Sequence, residues 1–521
     1  MKTVKKILSL ILSMMIAMTI IGCAGNKPAD TPSDVSGDAV SDSSVSENPS
    51  DTEESSTAEE SSKAEESSKV DSSKTDASTT SSKTTGSSKT DEAKKNLDFG
   101  GQTITIIYEY QPSSEYGIDA SRDRELDRIK ALNKKYNVNI VMKKGASNYN
   151  ESIISSVSAG KPVGNIIRIN GNRNYDFIKA GLCADLSDAM TKTGIDMSAA
   201  HYDQRTNKYY NVNNKQYVMS YIVPQETLVQ DIWYYNKDVL AELGYGANYI
   251  NELYEQGKWN WDQVSELARK ATKTAANGTV TRYGIGFRTH YKAITSMVLN
   301  NGGSIGSVGS NGNPKVNLSD LKVRTAFQQA YQWGAVDKVL ALTETTESDS
   351  KFAKGEIFMY CTTASAAKNF YSNGVNCGAI YPPVGPNASS SKVMVQVGGS
   401  FIIPVTYQND ADKYLMLMDD LYGEYEDASR EEIFKQDYIH LFGDEYSWNV
   451  VKNATLNTSM HTNDDFTAFN LEWTTPAFST VCQNLVKGGI TGGRLAETYN
   501  DQYQALLDEL FKGYALTGVN K

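Results

Sequence analysis

The sequence predicts a two-lobed α/β fold built on mostly parallel sheets, and three observations carry that prediction. Strand-like and helix-like segments alternate from residue 102 onward, which calls for a largely parallel sheet with helices on both faces. Residues 97–521 are too many to share one hydrophobic core, so two lobes are expected. Residues 224–244 (PQETLVQDIWYYNKDVLAELG) read as one complete βα unit. A polar turn leads into a strand through Ile232-Trp233-Tyr234-Tyr235. A helix follows, with Asn236 as N-cap, Asp238 at the positive end of its dipole and Gly244 as its stop. The polar start of the unit is expected at a hinge beside a ligand cleft.

Residues 1–22 have a basic start (Lys2, Lys5, Lys6), a short apolar run and Gly22 just before Cys23. This pattern predicts a secretory signal whose removal leaves Cys23 to be acylated. The apolar run falls short of the ~20 residues of a membrane span, and no other segment approaches that length. Residues 23–96 read as a lipidated Cys followed by a Ser/Glu/Lys-rich tether. With almost no aromatic or large aliphatic side chains, that stretch cannot bury enough apolar surface to offset the entropy of ordering. Its root-mean-square reach as a flexible chain is roughly 45–50 Å. The signal carries +3 and the tether, with sixteen acidic and eight basic residues after Cys23, carries −8 of the formal −11. The remaining −6 on residues 97–521 argues against a nucleic-acid partner. Cys183, Cys361, Cys377 and Cys482 could form two disulfides in any of three connectivities, or stay as buried thiols; no spacing selects among these.

In the folded part, residues 102–108 (QTITIIY), 139–143 and 165–169 (NIIRI) are apolar and β-branched, and read as strands. Between them, residues 121–136 place Leu126, Ile129, Leu132 and Tyr136 on one helical face. Asn150 is expected to cap a helix ended by Gly160, and residues 175–180 are helical. The second lobe is expected to begin near residues 217–223 (YVMSYIV). It continues through the amphipathic helix of WNWDQVSELARKATK, a strand at 283–287, and helices at 291–299 and 323–333. Strand-like runs at 355–360, 377–383 and 394–404 and helices at 411–422 and 495–512 complete the chain. Period-two alternation puts Trp233 and Tyr235 on one strand face and Ile232 and Tyr234 on the other, so that aromatic run is core. Trp259, Trp261 and Trp333 also read as packing pieces.

Ligand-contacting residues are expected at strand ends and at the hinge. Tyr108 and Glu109 follow the first strand, and Asn170 and Asn172 the third. Glu226 and Thr227 lie at the polar hinge, His290 and Tyr291 follow a strand of the second lobe, and Thr362 follows GEIFMY. Gly399 and Ser400 lie where glycines let the backbone approach closely. Trp473 is a candidate stacking platform. A Tyr-rich chain with polar residues at strand ends suits a carbohydrate, whose rings have apolar faces and hydroxyl rims. The string Gly302-Gly303-Ser304-Ile305-Gly306 matches a nucleophile motif but follows a helix rather than a strand. Four scattered histidines offer no zinc site, and no phosphate-cradling loop is present. No catalytic residue, metal or cofactor is therefore expected, although carboxylate pairs abound and a glycosidase dyad is a spatial feature that sequence does not exclude.

Several phrases occur together and in order: Ile20-Ile21-Gly22-Cys23, AGLCADLSD, YYNKDVLAELG, WNWDQVSELARKAT, LNNGGS, FAKGEIFMY, IYPPVGP and GGSFIIP. As a set the chain resembles the extracellular solute-binding proteins of family 1, the maltose-binding-like receptors of ABC importers. The resemblance covers most of residues 100–420 and fades after about 425, where DYIHLFGDEYSWN and HTNDDFTAF look peculiar to this chain. It implies a type II periplasmic-binding-protein-like fold whose lobes close on ligand. Crossing segments are then expected near residues 220–227, 344–352 and 396–401. Lobe one would comprise residues 97–220 and 350–398, and lobe two 221–349 and 399–521. The implied function is a monomeric substrate-binding lipoprotein, not an enzyme, held at the extracellular face of the membrane through Cys23. It would deliver a carbohydrate, expected to be an oligosaccharide, to ABC permease subunits. The rivals are a surface glycan-adhesion protein uncoupled from transport, a receptor for a non-sugar solute, and a secreted hydrolase.

Overall fold

Apolar runs that the sequence marks as strands fall into two separate sheets in the computed structural model. It describes residues 86–519 apart from 111, 113–118, 170–172, 223–228, 396–398, 424–426, 440–441 and 463–464. The expected signal and most of the tether lie outside the described residues, but residues 86–95, expected to be tether, instead form a helix held to the first lobe by the Lys94 ion pairs with Asp419 and Asp420. The first elements in chain order are α1 (Gly86–Lys95), β1 (Thr103–Tyr108), α2 (Asp119–Lys135), β2 (Asn139–Lys144), α3 (Tyr149–Ser158), β3 (Ile166–Ile169) and α4 (Asn174–Lys179). They are followed by β4 (Ile232–Asn236), α5 (Lys237–Glu242), α6 (Trp261–Ala271), β5 (Val280–Phe287), α7 (His290–Leu299), α8 (Leu321–Tyr331), α9 (Thr345–Ala353), β6 (Ile357–Thr362) and β7 (Cys377–Ile380). The last are β8 (Ser400–Ile402), α10 (Ala411–Tyr422), α11 (Asp427–Tyr438), α12 (Glu445–Leu456), α13 (Phe478–Val486) and α14 (Gly492–Leu510).

The first sheet has the order β8-β3-β1-β2, with β1 parallel to β2 and β3 and β8 antiparallel to β3. The second runs β7-β4-β6-β5, with Lys273–Thr274 at its edge. There β6 is parallel to β5, while β4 is antiparallel to both β6 and β7, so this sheet is mixed rather than mostly parallel. The register gathers chain ends along one edge of each sheet. In the first, Tyr108 and Ile169 end their strands, and Ser400 opens β8 opposite Ile169. In the second, Phe287, Thr362 and Ile380 end theirs, and Ile232 opens β4 opposite Thr362.

Strands β6 and β7 overturn the expected lobe boundaries. All six β6 residues are buried, so both faces need cover and the strand takes an interior place between β4 and β5. Residues 350–395 of the segment expected in lobe one (350–398) therefore belong to the second lobe, while β8 and α10 belong to the first, where α10 packs into the same core as β1 and β2. The expected crossing near residues 344–352 is instead the body of α9, which packs on β6. The chain passes between the sheets from Tyr221 to Val229, from Val395 to Gly399, and from Gly423 to Asp427. Residues 217–221 stay with the first lobe, where Met219 bridges Phe401 and Tyr221 bridges Tyr202. On the far side Val229 bridges Val395, so the first two passages are paired at both of their ends.

Local signals mostly behave as written. Asn236 Oδ1 accepts the Val239 N–H at 3.0 Å, and Gly244 adopts φ +83° beyond the end of α5. Asn260 caps α6 in the same way. Asn150 does not cap α3, which starts one residue earlier. Tyr149 is buried, and its hydroxyl reaches the Ile107 and Arg168 carbonyls at 3.1 and 2.6 Å, so tertiary contacts set this end. Trp233 and Tyr235 enter one core cluster and Ile232 and Tyr234 another, as alternation requires. Trp259, Trp261 and Trp333 are buried, and the four cysteines are buried, unpaired thiols. After residue 426 the helices cover the second lobe: α12 packs on β7, α13 on α7 and α14 on α8. The tail then returns to the first lobe, where buried Leu516 bridges Val212 and donates its N–H to Gly312 O at 2.9 Å.

Candidate functional site

Side chains that follow parallel strands project past the carboxyl edge of a sheet, which is where open α/β sheets hold ligands. In this protein those edges adjoin the chain passages between the sheets. On the first lobe, Tyr108 lies edge-on to Phe401 at 6.0 Å and its hydroxyl is 2.7 Å from that of Tyr422. Phe401 and Tyr221 each stack on Tyr422, at 5.3 and 5.2 Å, so three residues that flank the passages share one aromatic cluster beneath Tyr108. The Arg168 guanidinium lies 5.8 Å from the Tyr108 ring centroid. A Cβ on residue 399 would stand 2.7 Å from Arg168 Nε, so glycine there is what lets the guanidinium occupy this edge. Glu109 is partly exposed. Burial, reinforced by Glu109 and opposed by Arg168, pushes the Tyr149 phenol well above its ordinary pKa. Ser400 is buried and its Oγ accepts from Asn174 Nδ2 at 3.1 Å.

On the second lobe, Arg288 follows β5 and pairs with Asp349 at 2.7 Å, which also accepts the Tyr360 hydroxyl at 2.7 Å. His290 opens α7 with no accessible surface. Its N–H donates to Glu344 Oε1 at 2.6 Å, and its Nδ1 lies 3.1 Å from the same oxygen. The Tyr291 ring is buried and meets Trp473 edge-on at 5.7 Å, and Trp473 is 55% exposed. The Trp473 indole donates to Glu472 Oε1 at 3.0 Å. Lys292 Nζ donates to Gln230 Oε1 at 2.7 Å, and the Gln230 N–H donates to Met394 O at 2.9 Å. Buried Asp231 accepts from Ser296 Oγ at 2.5 Å and from the Met394 N–H at 2.9 Å. Burial outweighs those two bonds and raises its pKa to about 7. Thr362 is buried, and its Oγ1 has no partner among the described residues.

The structure thus brings Tyr108, Glu109, Gly399 and Ser400 to one edge and Tyr291, Thr362 and Trp473 to the other. His290 faces inward as a packing residue. Asn170, Asn172, Glu226 and Thr227 lie outside the described residues. Sequence reasoning missed Arg168, Tyr149, Gln230, Lys292 and Glu472. Arg168 carried a signal, a single charge inside the apolar strand NIIRI; Gln230 and Lys292 carried none. Among the described residues, no group of three or more His, Cys, Asp and Glu side chains could hold a metal ion, and no helix is long and apolar enough to cross a membrane.

Residues 120–414 match the family described as bacterial extracellular solute-binding protein. No curated protein matches the sequence. Solved structures do. UgpB from Mycobacterium tuberculosis in complex with glycerophosphocholine has a TM-score of 0.57 at 14% identity, covering 78% of this chain and 98% of that one. An ABC substrate-binding protein from Listeria monocytogenes in complex with cycloalternan has 0.53 at 13%, covering 78% and 98%. The maltose/maltodextrin-binding domain MalE from Bdellovibrio bacteriovorus bound to maltotriose has 0.52 at 13%, covering 79% and 100%. At these identities the likeness shows a shared two-lobe fold.

Proposed function

The chain belongs to the bacterial extracellular solute-binding proteins, the substrate-binding components of ABC transporters, and from that premise we propose that it captures a carbohydrate between its two lobes and delivers it to a membrane permease. The observation that carries this reading is the exposed Trp473, braced edge-on by buried Tyr291 and bonded to Glu472, at the carboxyl edge of the second sheet. An exposed aromatic face held by a buried ring and a buried carboxylate suits the apolar face of a sugar ring. Structural neighbours bound to cycloalternan and maltotriose support it. Ligand holds the lobes together only to the extent that it binds the closed arrangement more tightly than the open one. In this reading Cys23 is acylated, residues 24–85 form the leash up to α1, and the receptor works as a monomer. The glycerophosphocholine bound by UgpB supports a second reading, a receptor for a non-sugar solute.

Isothermal titration against an oligosaccharide panel tests the proposal. Trp473→Ala is expected to weaken binding by about 1–3 kcal/mol while leaving the melting temperature nearly unchanged. Tyr234→Ala, at a site with no accessible surface, is expected to cost about 3–5 kcal/mol of stability in urea unfolding. Silence across all sugars, with binding of another solute, would transfer the assignment to the second reading.

A further inference from the structure

At the second edge Arg288 has a counter-charge in Asp349, and the Glu344 carboxylate accepts from the His290 N–H and from Gln483 Nε2. Lys292 differs from Arg288. Its Nζ has a neutral acceptor, Gln230 Oε1, and among the described residues no carboxylate lies within the 4.0 Å of an ion pair. Glu472 acts on it only from farther away, and its Oε1 already accepts the Trp473 indole N–H. Burial pulls the Lys292 pKa below the ordinary lysine value, against Glu472 and with the help of Arg288. An ammonium withdrawn from water without a counter-charge is costly, and the first turn of a helix is the wrong end of the dipole for a cation. An anion set beside Nζ would relieve both penalties.

We propose that Lys292 is the specificity-determining group of the cleft, and that the captured solute presents an anionic substituent, a carboxylate or a phosphate, to its Nζ. This rests on the carbohydrate-receptor reading and narrows it to acidic sugars, either uronates or sugar phosphates. Trp473 and Lys292 then divide the work, since Tyr291, against which Trp473 packs, is the residue before Lys292 on α7. The indole takes a ring face and the ammonium takes the charge.

The test compares the parent protein with Lys292→Met and Lys292→Gln by titration calorimetry and thermal unfolding. The probes are uronate oligosaccharides, their methyl esters, sugar phosphates and neutral oligosaccharides. The parent is expected to prefer one of the two acidic classes, and whichever binds identifies the source of the anion. Esterification or Lys292→Met is expected to weaken that binding by roughly 30-fold or more, the usual loss when one partner of a buried charge pair is removed. Without ligand, both variants should melt no lower than the parent, because the ammonium removed is withdrawn from water and has only the neutral Gln230 as partner among the described residues. Equal binding of neutral sugars by parent and variants, within about twofold, overturns the anionic proposal and leaves the carbohydrate reading standing. No binding of any sugar overturns both. A large drop in the unliganded melting temperature of both variants also overturns the proposal, by making Lys292 a structural residue.

Discussion

A methyl group added at residue 399 would stand 2.7 Å from Arg168 Nε and 2.8 Å from its Cζ. The guanidinium is the end of a flexible side chain and can move, so Gly399→Ala is expected to fold normally. The same movement takes Arg168 away from the Tyr108 ring. Ligand affinity should therefore fall by about tenfold, with the melting temperature held, as calorimetry and thermal unfolding together would report. At this scale, how much the sequence revealed depended on how local the cause was. The core role of Trp233, Tyr234 and Tyr235 follows from alternation along a single strand. Arg168 was readable in hindsight as a charge among isoleucines. Lys292 was not, because what distinguishes it is an acceptor 62 positions away in sequence and the lack, among the described residues, of a carboxylate within ion-pair distance.

The short ribbon Val393–Met394 pairs with His461–Thr462, and His461 also reaches the first lobe, where Arg205 Nη1 donates to its Nδ1 at 2.5 Å. Its Nε2 faces Ala454 O at 2.7 Å. Burial, and after it Arg205, lowers the His461 pKa to about 4, while Asp203 and the Ala454 carbonyl oppose the shift. The folded state thus resists protonation that the unfolded chain accepts near pH 6.5. The stability this group contributes is present above pH 6.5 and is lost as pH falls toward 4. Asp231, raised to about 7 by burial, has the opposite sign: its contribution is present near pH 4 and is lost as pH rises through 7. Both groups titrate in one window and offset each other there. Removing the imidazole leaves the Asp231 contribution unopposed, so urea stability of His461→Gln is expected to fall more steeply than that of the parent as pH rises from about 4 to 6.5. Elements such as β1 and α6 were legible because their patterns are internal to them. The places of β6 and β7 were not, because a fully apolar strand declares that it is interior without declaring to which sheet.

Across the whole molecule, the tail from Lys512 onward works as a strap between lobes. Thr517 N–H donates to Asn211 O at 3.0 Å and the Asn213 N–H to Ala515 O at 2.9 Å, while Leu516 also bonds to Gly312 on the second lobe. Removing residues 512–521 is expected to lower stability by about 2–3 kcal/mol for the buried leucine alone. It should also speed proteolysis near residues 211–216, which limited digestion would detect. Two lobes were predictable from length, but their exchange of segments was not, since only pairing in space assigns residues 350–395 and 399–422. The other end of the described chain has a mechanical meaning. Helix α1 is clamped to the first lobe through Lys94, 2.7 Å from Asp419 and also paired with Asp420, and through Lys89, bonded to Thr191 O at 2.6 Å. In a receptor leashed through Cys23, as proposed, traction along the leash enters the first lobe through Lys89 and Lys94. The first lobe is then the stationary jaw that bears the load, and the second lobe, carrying Trp473 and Lys292, is the one that moves against it within the limits of the tail strap.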